Sequence, residues 1–197
     1  MTPAHLRNAD SHLSTEERAQ VLRWLEESHR GFFAEITGVS DDQWNWKPAP
    51  DRWSVGETAE HIVLAEALLF NFVQRALAGP PNPHWEEQTK GKTGLLIQVM
   101  ASREGKAAAP QPLVPRERVT RAEVKDRFAT KRTDIVTFAS ETHLALKEFT
   151  LAHPFPVFGT LNAYQWLIYV PLHTLRHNKQ IAELKVTPGY IGESGAR

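Results

Sequence analysis

Two histidines, His173 and His177, stand four residues apart in the segment PLHTLRHNKQI. On an α-helix that spacing places both imidazoles on one face, with Cβ atoms about 5–6 Å apart. Rings so placed can chelate one divalent ion, at roughly 2.0–2.1 Å if it is zinc. Nine histidines in 197 residues would give such a pair about 0.4 times from composition alone, so the spacing gains weight only from its surroundings. Trp166, Tyr169, Val170, Ile181 and Leu184 recur on the same helical stripe, which marks it as an inward face. A buried neutral imidazole needs a partner for each ring nitrogen, and a shared ion would supply one. A catalytic-type site needs a third protein ligand and an open position. His61, next to Ile62 and near Leu64 and Leu68, is the best candidate; a core histidine hydrogen-bonded to a neighbour accounts for its pattern equally well.

Other residues near these three carry possible chemistry. Glu57 lies one turn before His61 and could orient a ligand or act as general base, although a helix-capping role explains it too. Gln180 follows His173 by seven residues, nearly the same helical face, and could hydrogen-bond a ligand ring or simply line the helix face. Arg176 could bind an anionic substrate group or be a solvated arginine. His29, His84, His143 and His153 have no second histidine at chelating spacing and read as surface or loop residues; His5 and His12 fall in a frayed N-terminus. The chain has no cysteine, which excludes disulfides, cysteine zinc sites and a thiol nucleophile of its own. Three imidazoles suit zinc, nickel, copper and iron alike.

Four long segments must position these side chains. The first opens on a capping box, Ser14 with Glu17, and runs through Val21, Leu25, Phe32 and Ile36 towards Gly38. A connector over 39–53 carries Trp44, Trp46 and Trp53, which should pack over a bundle end. The second segment opens on Ser54 with Glu57 and runs to Gly79, where Pro80, Pro81 and Pro83 forbid continuation. An irregular stretch over 80–119 contains one short helical candidate, Gly94 to Ala101. The third opens on Thr120 with Glu123 and continues its apolar positions to Phe149. HPFPVFGT breaks the chain, and the fourth runs from Thr160 or Asn162 to Lys185, with Pro171 expected to kink it. No strand is expected. The architecture predicted is an all-α four-helix bundle, up-down-down-up, with a long crossover between the second and third helices. Residues 1–13 are expected to be a flexible lead, 14–186 the bundle domain and 187–197 a tail.

Lysine plus arginine balances aspartate plus glutamate at 23 each, so no global field argues for nucleic acid or an anionic membrane. No apolar run approaches the roughly 20 residues of a membrane span, and Met1 to Ser14 lacks a signal-peptide core. A cytoplasmic protein is the default expectation.

PAPDRWSVGETAEHIVLAE resembles the second-helix motif of the DinB-like superfamily, which includes YfiT-like metal-dependent hydrolases: a proline-containing lead-in, Trp-Ser/Thr, then a helix with one histidine. HTLRHNKQI resembles its fourth-helix motif, His-x-x-x-His followed by Gln-Ile. The resemblance extends over residues 14–186. It implies a four-helix bundle with a three-histidine site made by His61, His173 and His177, holding nickel or zinc. It implies a small-molecule substrate, with the metal activating water in a hydrolase or an external low-molecular-weight thiol in a transferase, and a possible homodimer. Pro171, two residues before the first ligand of the fourth helix, is not required by that motif. The competing reading is a non-enzymatic, stress-associated protein that binds a metal or small molecule.

Overall fold

The computed structural model describes residues 11–102, 108–116 and 120–190. In chain order it contains α1 (Thr15–Ile36), α2 (Asp41–Asn45), α3 (Val55–Leu77), α4 (Trp85–Thr89), α5 (Lys92–Ala101), a 3-10 turn (Gln111–Leu113), α6 (Arg121–Glu141), β1 (Thr150–Ala152), β2 (Thr160–Asn162) and α7 (Ala163–Lys185). Of the expected lead 1–13 and tail 187–197, residues 1–10 and 191–197 lie outside the described residues. Of the neighbouring positions, Ser11 is fully buried and its carbonyl accepts from the Lys147 N–H, while Tyr190 meets Trp46 edge-on.

Helix starts follow from local chemistry. Ser14, Ser54 and Thr120 each accept the N–H of the residue three along, and Glu17, Glu57 and Glu123 reach back to the capping residue's own N–H. Asn162 with Gln165 caps α7 in the same way, and Ser40 with Gln43 caps the short α2. Each box satisfies two backbone donors that helix geometry would leave orphaned.

The long helices α1, α3, α6 and α7 form the bundle. α1 and α7 run parallel: Ser28 meets Asn178, and Glu35 meets Lys185 about two turns further on in both helices. α3 and α6 also run parallel, through Glu66 with Arg132 and Phe70 with Phe138. α3 is antiparallel to α7, since His61 lies by His177 and Phe72 by Trp166. α1 is antiparallel to α6, since Phe32 lies by Phe128 and Arg18 by Ala139. The order is therefore up-down-down-up, and the crossover carrying α4, α5 and the 3-10 turn is what lets α3 and α6 share a direction. α5 packs against α7.

Two sequence expectations need correction. The third helix ends at Glu141 rather than near Phe149. There the Arg18 guanidinium donates to the carbonyls of Ala139, Ser140 and Thr142, taking up the end of the helix, and the chain then turns Leu146 into the core. The expectation of no strand also fails. β1 and β2 form a small antiparallel ribbon, pairing Thr150 with Asn162 and Ala152 with Thr160. Three-residue strands are too short to show the alternation by which strands are recognised in sequence. Its turn ends on Gly159, whose φ of 59° suits glycine.

The core divides into two apolar parts. One contains Leu25, Leu69, Phe70, Ile135, Leu167 and Val170. The other contains Phe32, Ile36, Ile62, Phe128, Ile181 and Leu184, roofed by Trp44. Gly56 is what admits that roof, because a Cβ there would collide with the Trp44 indole nitrogen. Trp44 is buried and Trp46 and Trp53 are half-buried, so the connector tryptophans pack largely onto the bundle. α7 continues through Pro171, which is itself buried. Among the described residues no helix is long and apolar enough to cross a membrane.

Candidate metal centre

α3 delivers His61 and α7 delivers His173 and His177 to one place. One ring nitrogen from each lies within 4.8 Å of the others, the one such group of three among the described residues. Ring centroids are 5.1 Å apart for His61 and His173, 4.6 Å for His61 and His177, and 4.4 Å for the α7 pair. His61 is buried; the other two are half-buried.

Hydrogen bonds orient two of these rings. His61 Nδ1–H donates to the Leu113 carbonyl at 2.8 Å, so its Nε2 carries the lone pair. His177 Nδ1–H donates to Gln180 Oε1 at 2.8 Å, and its Nε2 faces His173 Nε2 at 3.2 Å. Two nitrogens bound at roughly 2.0–2.1 Å with a tetrahedral angle between them would be roughly 3.3 Å apart. The His173–His177 separation fits that requirement without rearrangement. An outer acceptor on the second imidazole nitrogen is the usual device for fixing a metal-ligating ring.

Electrostatics favour the neutral rings that ligation needs. Burial, then the nearby His177 and His61 rings and Arg176, hold His173 well below the usual histidine range. Burial lowers His61 too, partly opposed by its bond to Leu113. Aromatic walls complete the site: Trp53 lies 4.7 Å from His61, and Tyr169 meets His173 edge-on at 6.1 Å. Trp53 and Gln180 also border a small cleft of about 50 Å³.

The remaining candidates fall out differently. Gln180 is on a ligand ring, as described. Glu57 is spent elsewhere: Oε2 accepts the Ser54 N–H at 2.9 Å and Oε1 accepts from Lys47 at 2.9 Å. It faces a separate groove with Trp44 and Arg116, so its placement supports the cap and gives no reason to make it a base. Arg176 donates to the Val99 carbonyl at 3.3 Å. His153 lies in the loop after β1, as expected, but half-buried with its ring stacked on Trp166, and burial pushes it down to about 4. The Leu113 carbonyl had no sequence signal, because a backbone acceptor from a distant crossover carries no side-chain pattern.

Known proteins resemble this chain in sequence and in fold. The chain is 26% identical over 152 residues to the uncharacterised protein YuaE of Bacillus subtilis, covering 77% of this chain and 88% of that one. The fold matches that of YfiT from Bacillus subtilis with a TM-score of 0.52 at 14% identity, covering 94% of this chain and 91% of that chain. That protein is described as a probable metal-dependent hydrolase with an unusual four-helix bundle topology. Residues 24–181 match the family model of the DinB superfamily. The chain belongs to the DinB superfamily.

Proposed function

We propose that His61, His173 and His177 bind one divalent metal ion, nickel or zinc, and that the protein is a metal-dependent hydrolase acting on a small molecule. The observation that carries this reading is the convergence of three imidazole nitrogens from two helices, two of them turned inward by Leu113 and Gln180. An ion there would supply Lewis-acid polarisation of a substrate oxygen and a nucleophile usable at neutral pH. His61, His173 and His177 hold it without adding charge, because neutral imidazoles leave the full positive charge of the ion in place. Gln180 and the Leu113 carbonyl keep the ring protons on Nδ1 and so keep Nε2 available. Trp53 and Tyr169 limit access of bulk water to the rings. YfiT's description as a probable metal-dependent hydrolase is consistent with this reading.

The test is metal analysis of protein purified without a polyhistidine tag, followed by a screen of simple esters and amides. Stoichiometric metal, with hydrolysis lost on chelation and restored by readdition, is the expected result. Turnover only with an added low-molecular-weight thiol would make the protein a thiol transferase instead, since the chain has no cysteine. Turnover unaffected by chelation, or protein that takes up no metal, would overturn the reading.

A further inference from the structure

Between the two apolar halves of the core lies a polar layer drawn from all four bundle helices. Glu66 of α3 and Arg132 of α6 form an ion pair with side chains 1% and 3% exposed. Arg132 also donates to the Ser28 hydroxyl at 2.7 Å and to the Leu25 carbonyl on α1. Thr174 of α7 donates to Glu66 Oε1 at 2.8 Å, and Asn178 of α7 donates to the Ser28 carbonyl at 3.0 Å. The layer is bounded on one side by Leu25, Leu69, Ile135 and Val170 and on the other by Phe32, Ile62, Phe128 and Ile181.

Stability alone is a poor reason for such a layer. Removing two charges from water costs several kcal/mol per ion, and apolar replacements of similar volume often fold as well or better. Its position is more telling. Thr174 follows His173 and Asn178 follows His177, each by one residue. The pair Thr174/Asn178 therefore repeats the four-residue spacing of the histidines, turned about 100° around the same helix. Holding Thr174 on Glu66 and Asn178 on Ser28 fixes both the rotation and the height of α7. Glu66 stands five residues after His61 on α3, so the same clamp references α7 to the helix carrying the third ring. Gly31 permits the α1 half of the clamp, because a Cβ there would lie 2.7 Å from Asn178 Nδ2.

We propose that the Glu66–Arg132 layer, acting through Thr174 and Asn178, is the positioning frame of the three-histidine centre: it sets the rotation of α7 that aims His173 and His177 at His61. This rests on the metal-site reading above. Thr174 and Asn178 are positioning residues and touch neither metal nor substrate.

The test uses cobalt(II) as the probe, read by competition affinity and by its visible absorption band, with stability measured separately on metal-free protein. Thr174→Val removes the hydroxyl at nearly constant shape; Thr174→Ser restores it. Val73→Ala, in the apolar core about 18 Å along α3 from His61, is the control for plain destabilisation. Thr174→Val is expected to weaken cobalt binding about 10-fold or more and to shift the band, as loss of an outer-shell support does. Thr174→Ser should keep both, and Val73→Ala should lose stability with affinity and band unchanged. Should Thr174→Val fail to fold, Gly31→Ala displaces Asn178 and carries the same expectation. Wild-type affinity and band in a folded Thr174→Val or Gly31→Ala protein would overturn the positioning role while leaving the metal site standing. A wild-type chain that binds no cobalt would overturn the site itself and this frame with it.

Discussion

His61 is the residue on which the centre depends most, because its partners come from a helix more than 100 residues away in sequence. Replacing it with alanine should weaken metal affinity by orders of magnitude, since two ligands remain of three. The metal-free protein should lose about 1–3 kcal/mol, because the buried ring and its bond to the Leu113 carbonyl are removed, and the wild type should gain more from added metal than the variant does; an ion at 100 times its Kd adds about 2.7 kcal/mol. Thermal melts with and without metal measure both effects. His153 supports a second expectation. Its ordinary value is 6.5 and burial lowers it to about 4. Below about pH 6.5 the unfolded chain takes up a proton that the folded ring refuses, so the folded state loses ground as pH falls from there towards 4. His153→Phe should flatten that acid limb of the stability curve, seen in urea titrations at stepped pH. Residue types and spacing made His173, His177 and Gln180 legible in the sequence. Glu57 was ambiguous because the same S-x-x-E pattern that caps a helix also puts a carboxylate one turn from a histidine.

At the scale of elements, the long helices announced themselves through apolar periodicity and the three Ser/Thr–Glu boxes, and their starts are where those boxes stand. The end of α6 was hidden: Leu144, Leu146 and Phe149 continue a helical pattern, yet Leu146 reaches the core from a turn. What stops the helix is Arg18, a side chain from another element, and no local window contains that information. α2 went unread although Ser40 and Gln43 spell a capping box, because five residues are too few to show a period. Its seat can be tested. Gly56→Ala would drive a methyl into the Trp44 indole, and forced repacking of this kind costs about 1–3 kcal/mol. Chemical denaturation should show that loss, with a changed tryptophan emission spectrum in the folded state.

For the whole molecule, the buried ion pair makes an asymmetric forecast. Arg132→Ala leaves Glu66 without its cationic partner inside the bundle and should cost about 3–5 kcal/mol. The double change Glu66→Leu with Arg132→Met removes both charges and should recover most of that stability, which denaturant midpoints will show. Burial drives the Glu66 carboxyl upward and Arg132 only partly opposes it, so in the single variant the carboxyl is neutralised more readily still. The pair was invisible in the sequence: glutamate and arginine 66 residues apart look like surface charges until α3 and α6 are laid parallel.

That parallel arrangement also bears on how the chain folds. Asn178 and Ser28 are 150 residues apart, as are Lys185 and Glu35. α7 packs against both α1 and α3, so neither can complete the burial of its inner face until this fourth bundle helix arrives. Closing such distant contacts costs chain entropy before any packing repays it. Refolding should therefore be slower than for an up-and-down bundle of equal length, with helix content recovering before the fixed environment of Trp166. During synthesis α1 and α3 can meet α6 first, but their faces towards α7 stay uncovered until α7 has left the ribosome. Both of its histidines arrive with it, so the metal centre is assembled at the last step.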